Sequence, residues 1–495
     1  MAFTSLPITT ADSALTGSQG VAAIDAAHEL AATNFQGIKV DTPTGFTLPT
    51  VLSSLEIYKN GNDYSTNIRP IDLIDTSLIT NVLHVNIETG DDANSGNTWQ
   101  SAVKSIWRAI EISLAPALGI SSRIFIKGGT YPVENSFLKN NARWDFKNID
   151  LTFEAKYGRV LVGAFSENAW ALEGGQTNVY VCTRADAVIA VNPSLPDSVQ
   201  GYQSKCIPGH TQYTNVTSIA EVETLEGSLW VNGTSVYVHP HGSVKATDLN
   251  TRIYEHKEMI GGSNYGNIYM RNIDTEGGRL GAVYSASANI SSGMLVTDST
   301  SHRYCIGGSF ATPQPLFKAF SIDNLTLLAH FNTDASYGST DGFSVAGTAT
   351  NQNCALLVVN SVSNNCGLLT QNTSTSNKPN SVNGFTAHNG KIAISIGGEY
   401  RGHAGAPIAI VHDNTTAWVL GATAGDSEGD QINGKAVLTG GASAADASCK
   451  LWLDSCSLLG CDRELTVNDN AEILLRNHTG SGHYLEQTGG LVTAY

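Results

Sequence analysis

The chain has 495 residues, of which 15% are charged and 49 are glycine, and it carries a formal charge of −16. An average soluble domain is about 25% charged, so this composition describes many tight turns and short strands and excludes a helical enzyme. The acidic balance argues against nucleic acid, whose phosphates require clustered Lys and Arg, and suits neutral or amino sugars better than a densely anionic polymer.

The start, Met1-Ala-Phe-Thr-Ser5, has neither a basic n-region nor an apolar h-region, so no secretory leader is expected. No run of about 18 apolar residues occurs, so no membrane insertion is expected either. Residues 1–80 differ from the rest. Val21 to Ala32 reads as an Ala-rich helix, and Leu55 to Tyr64 as a hairpin around Asn60-Gly61. This region is expected to attach the chain to a larger body or to shield its end.

From Val85 to Val133 a turn-rich acidic loop, Asn86 to Gly96, leads through a short helix to the strand Arg123-Ile-Phe-Ile-Lys-Gly-Gly-Thr-Tyr131. Val103, Ile106, Trp107, Ile110 and Leu114 share the spacing of a helix that buries one stripe. Asp91-Asp-Ala-Asn-Ser-Gly96 holds the oxygen donors of a calcium loop. It lacks the later bidentate Glu, so a capping turn is expected, with no metal or cofactor.

Asn148 to Phe153 and Arg159 to Gly163 are strand-like, and an interruption follows from about 165 to 255. Within it, Ser228 to Pro240 gives two alternating strands joined at Asn232-Gly233, a hairpin. Its Trp230 and Tyr237 are candidates to stack on sugar rings, as are Trp99, Trp144 and Trp170; the alternative is that they are core residues. His239-Pro-His241 offers two imidazoles without an evident third ligand, which points to packing histidines.

From about 260 an apolar strand closed by Asp, Asn or Gly recurs, at Tyr269–Asp274, Leu295–Asp298, Phe320–Asp323, Leu357–Asn360, Ile394–Gly397, Leu451–Asp454 and Leu474–Asn477. The spacing is that of one solenoid coil per period. A column Asp274/Asp298/Asp323 follows, with two readings. Carboxylates one or two coils apart approach the separations of retaining or inverting glycosidases; alternatively, they form a ladder that satisfies turn amides. Aligning the strand after each turn gives a second row, Arg279, His302, Asp341 and Asn365. In that row His302 is a candidate base oriented by Asp341, the favoured catalytic residue, while Arg279 or Arg303 could hold an acidic sugar. The alternative is a polar row facing water.

The cap segment, the inserted hairpin and the coil repeat together resemble right-handed parallel β-helix proteins of the pectin-lyase-like fold, most closely bacteriophage tailspike and receptor-binding depolymerases. The resemblance covers about residues 80–480. It implies an all-β, right-handed parallel β-helix solenoid over 81–480 with an N-terminal capping helix, a virion-attachment region at 1–80 and a tail at 481–495. It further implies a homotrimer that binds bacterial surface polysaccharide, meets other tail proteins through its N-terminal region, and resides in the virion. One departure is that no room remains after about residue 480 for a separate trimerisation domain. The other readings are a non-catalytic adhesion spike and a bacterial polysaccharide lyase or hydrolase. The eight cysteines, Cys182, Cys206, Cys305, Cys354, Cys366, Cys449, Cys456 and Cys461, form no Cys-x-x-Cys pair and are expected to be buried thiols. A chain without disulfides folds in a cytoplasm, which for this fold suggests release by lysis.

Overall fold

The computed structural model describes residues 37–495 except 140–141, 164–169, 184–186, 192–213, 241, 243–251, 256–258, 278–282, 286–292, 304–319, 322–324, 339–340, 346–353, 367–381, 404, 413, 427–434, 440–447, 462, 469, 481–484 and 489. The chain winds into a parallel β-helix solenoid. The first sheet stacks Asn81–Val85, the opening halves of Ser122–Tyr131 and Leu151–Gly163, then Ile268–Arg271, Met294–Asp298, Leu327–Phe331, Ala355–Val359, Ile392–Ile396, Thr416–Leu420, Lys450–Asp454, Glu472–Arg476 and Leu491–Ala494. The second begins with the closing halves of the two long strands and continues from Ile273–Glu276 to Thr479–Gly480. A third runs from Phe343–Val345 to Leu485–Thr488, with Trp144–Asp145, Ile260–Ser263, Val283–Ser285 and Phe320–Ser321 stacked in the earlier coils.

The corner between the first two sheets explains the repeat. Asn272, Ser299, Asn332, Asn360, Ser455 and Asn477 all occupy the left-handed region, with φ between 47° and 56°. Asn reaches that conformation more readily than most residues because its short polar side chain bonds locally. The N–H of each of the first four donates to the next coil, Asn332 to Val359 O at 2.9 Å and Asn360 to Ile396 O at 2.7 Å. Glycine takes over at Gly397 and Gly421 in the same column. A Cβ on Gly421 would stand 2.0 Å from the Tyr64 ring, so there the side chain had to go.

This corner sets a register that differs from the sequence alignment. Asp298 is level with Arg271 in the first sheet, whereas Asp274 lies in the second sheet beside Ser301, followed by Asp334. The expected Asp274/Asp298 column is therefore two rows. Asp323 and Arg279 lie outside the described residues.

The solenoid interior is filled by alternate residues such as Ile124, Phe153, Met270, Leu328, Leu356, Val419 and Leu453. One end is plugged by the helix Ile106–Leu114, which buries Ile106, Ala109, Ile110, Ser113 and Leu114. Trp107 turns aside and donates its indole N–H to Glu134 O. The acidic loop is a cap. Asp92 accepts from the N–H groups of Lys104 and Ser105 at 2.9 and 2.8 Å.

Residues 37–80 lie along the flank. They form an antiparallel sheet (Ile38–Val40, Ile57–Asn60, Asp63–Thr66) whose Phe46, Leu52, Leu55, Ile57, Tyr64 and Ile74 cover the outer face of the first sheet. That is why strands such as Leu327–Phe331 and Ala355–Val359 are buried on both faces. The inserted region makes a separate five-stranded sheet around Cys182, Leu229, Val236 and Val238. In both hairpins the glycine stands first in the two-residue loop, Gly61-Asn62 and Gly233-Thr234, one position later than expected, with φ of 64° and 60°. The segment set apart as a tail continues the solenoid, with Leu485–Thr488 and Leu491–Ala494 adding strands to the third and first sheets. Cys182, Cys354, Cys366, Cys449, Cys456 and Cys461 are buried thiols.

Candidate functional site

Arginines staple neighbouring coils to acidic residues throughout the solenoid. Arg159 reaches Asp274 at 2.8 Å, Arg303 reaches Asp334 at 2.8 Å, Arg401 reaches Asp426 at 2.6 Å and Arg476 reaches Asp454 at 3.0 Å. Each fork closes a gap of about 4.8 Å between stacked strands. Asp274 is thus a ladder residue, and Arg303 is committed to Asp334 while also lying over the Tyr337 ring.

One pair is open. Arg271 Nε stands 3.6 Å from Asp298 Oδ2, and the Arg271 guanidinium makes no hydrogen bond among the described residues. This pair lines a cleft of about 730 Å³ between the N-terminal segment and the first sheet. Arg69, Asp72 and Asp75 form one wall, with Arg69 clamped to Asp72 at 2.6 and 2.7 Å. Arg123, Glu154, Tyr269, Arg271, Asp298, Asn332 and Asn360 come from the solenoid side.

Strand register builds that wall. Glu154, Arg271 and Asp298 are consecutive members of one outward row, so Glu154 and Asp298 are two coils, about 9.6 Å, apart. Arg123 holds Glu154 at 2.8 Å from the preceding coil, and Lys156 stands 3.4 Å away. The Tyr269 hydroxyl donates to Asp298 at 3.2 Å. Burial, reinforced by the Asp298 charge, pushes the Tyr269 phenol well above its ordinary range, so it serves as a donor. The cleft therefore offers a fixed array of guanidinium, carboxylate, amide and phenol groups, the inventory that hydrogen-bonds sugar hydroxyls and carboxylates.

His302 is a core residue. Register puts Thr275 and Ala335 beside it, in place of Arg279 and Asp341. Its ring points into the solenoid, fully buried, with Thr275 Oγ1 and Thr300 Oγ1 each 2.8 Å from a ring nitrogen. Desolvation there lowers its pKa to about 3. The expected imidazole–carboxylate pair fails because every alternate residue of a coil faces inward, and His302 falls on that phase. Asn365 is a corner residue at φ 65°, its N–H bonded to Arg401 O at 3.0 Å. Trp230 and Tyr237 stack on each other at 5.1 Å in the inserted sheet, away from the cleft-lining residues.

Asp341 occupies a different place, two residues before the third-sheet strand Phe343–Val345. It is 5% exposed and accepts from Asn383 N at 2.8 Å and Asn383 Nδ2 at 3.3 Å. His388 Nε2 stands 4.0 Å from its other oxygen, and His388 Nδ1 is 3.2 Å from His412 Nδ1. His388, from the next coil, is the imidazole beside Asp341.

Sequence reasoning missed Arg123, Glu154, Tyr269 and Arg271. The available signal was Asn272: a corner Asn there ends the strand at Arg271, which aligns Arg271 with Asp298.

No protein-family model and no curated protein matches the chain. Solved structures match it only at low similarity. One described as a glycoside hydrolase is 10% identical with a TM-score of 0.46, covering 84% of this chain and 96% of its own. The Streptococcus pneumoniae surface adhesin PfbA is 9% identical at TM-score 0.30, covering 78% and 88%. The tailspike of Pseudomonas phage phi297 is 13% identical at TM-score 0.20, covering 77% and 74%.

Proposed function

We propose that the chain is a glycan-binding spike, the receptor-binding protein of a bacteriophage, and that the flank cleft holds a bacterial surface polysaccharide. The open Arg271–Asp298 pair carries the reading. Four described Arg–Asp staples on other coils are closed at hydrogen-bond distance, whereas here Asp298 accepts from the Tyr269 and Ser299 hydroxyls and the Arg271 guanidinium faces the cleft with no hydrogen bond among the described residues. Guanidinium N–H groups left without hydrogen-bond partners cost stability unless a ligand or water satisfies them. Sugar hydroxyls suit both members of the pair, and Arg271 can also fork onto the carboxylate of an acidic sugar. In this reading residues 1–80 join the chain to the virion and three chains lie side by side.

Cleavage of the same polysaccharide is a second reading, with its own observation. Glu154 and Asp298 stand two coils apart, a backbone spacing near the upper end of the separations used by inverting pairs. Both, however, face cations, where a general acid needs an apolar wall that keeps its proton. Asp341, buried beside His388, is the better candidate for chain cleavage.

The two readings separate on an array of bacterial O-antigens and capsular polysaccharides. Wild type should retain a subset, and Arg271→Ala should bind it about 10- to 100-fold more weakly, the loss of a charged hydrogen-bonding partner. Unchanged binding by a folded Arg271→Ala would remove the cleft from the account. Asp341→Asn should abolish shortening of the retained polysaccharide while leaving binding intact. Undiminished shortening would remove Asp341.

A further inference from the structure

The outward row that carries Glu154 continues toward the capped end of the solenoid. Phe125 is level with Glu154 one coil earlier, and His84 is level with Phe125 a coil before that. Arg123, which lines the cleft, also lies 5.3 Å over the Phe125 ring, and Lys156 lies 4.6 Å from it. The His84 ring meets Phe125 at 5.8 Å and Trp99 at 4.7 Å, and Trp99 meets Tyr157 edge-on at 5.3 Å. An aromatic group is therefore continuous with the polar cleft, on one face and along one axis.

Tyr157 is the unusual member. It is 62% exposed and sits at φ 61°. At later coils one or two residues turn the corner between the first and second sheets, and Asn, Ser or Gly takes the left-handed position. Here the corner between Glu154 and Val160 is longer and places a bulky aromatic in that conformation, in water. For such a residue the left-handed region is a genuine outlier. The strand register shifts here, with Lys156 paired to Lys127 and Val160 to Gly129, and irregularities and strain of this kind collect beside binding sites.

The geometry points to a stacking subsite formed by Tyr157 and Trp99 for a pyranose ring of the polysaccharide held in the cleft. This deepens the glycan reading and rests on it. A pyranose offers one apolar C–H face and an equatorial belt of hydroxyls. The Tyr157 and Trp99 rings take the first, while Lys156 and Arg123, which lie over the neighbouring Phe125 ring, can donate to the second. Phe125 to Asp298 spans three coils, about 14 Å, so the groove accommodates an oligosaccharide segment along the solenoid axis.

The test uses whichever polysaccharide on the bacterial array wild type retains, titrated against wild type, Tyr157→Asn, Trp99→Ala and Arg271→Ala. Tyr157→Asn is the decisive variant because Asn relaxes the left-handed backbone. It should melt no lower than wild type yet bind at least tenfold more weakly, a combination that a purely structural tyrosine would not give. Trp99→Ala should lose affinity similarly. Wild-type binding by Tyr157→Asn, alongside weakened Arg271→Ala, would overturn the subsite and leave the cleft standing. No retention of any array glycan by wild type would overturn both.

Discussion

At the scale of single residues, the interior polar groups make a prediction about pH. His302, His330 and His403 are fully buried, and desolvation lowers all three pKa values, to about 3 for His302 and about 4 for His403. In the unfolded chain they return to the ordinary value near 6.5. As pH falls below that value the unfolded state takes up protons that the folded state refuses, so folding stability drops. The contribution is complete above about pH 6.5. It declines toward pH 3 for His302, with a limiting slope of about 1.4 kcal/mol per pH unit for each such histidine. Denaturant melts at pH 7 and pH 5 should show stability falling with pH, and His302→Gln should flatten the dependence. A His302→Gln profile superimposable on wild type would contradict the buried neutral assignment. None of this was visible beforehand, because a histidine on a short strand reads equally well inward or outward until the corner residue fixes the phase.

At the scale of elements, the N-terminal segment matters most. Tyr64 seats against Gly397 and Gly421 and belongs to the apolar cluster that includes Val296, Leu327, Leu357, Trp418 and Trp452. Tyr64→Ala should cost about 3 kcal/mol by analogy with other large aromatic truncations. The same substitution should loosen the cleft wall formed by Ser65 to Ser77 and weaken glycan binding, read by titration beside a thermal melt. A melt lowered with binding intact would show that the segment is only a cover. Gly421→Ala should behave like Tyr64→Ala, since both break one contact from opposite sides. The solenoid, the cap helix and both hairpins were legible in the sequence because each rests on local pattern: alternation, a helical stripe, a glycine in a two-residue loop. The cleft was not legible, because it joins Thr66 and Asp72 to Glu154, Arg271 and Asn360, residues that no local pattern relates. The Asp column misled because strand-ending Asp298 and mid-strand Asp274 look alike when the left-handed Asn272 between the sheets is passed over.

At the scale of the whole molecule, the solenoid presents distinct faces. The flank of the first sheet is roofed by residues 37–80, and the cleft lies between that roof and the Glu154–Arg271–Asp298 row. Asp341 and His388 belong to the third-sheet side. Hydrogen–deuterium exchange on the full-length protein, with and without a polysaccharide retained on the array, separates these faces most directly. Polysaccharide in the cleft should slow exchange in 65–77, 268–272 and 294–299, extending to 154–158 through the aromatic end. Protection confined to 341–345 and 385–388, or to the inserted hairpin at 228–239, would contradict this placement.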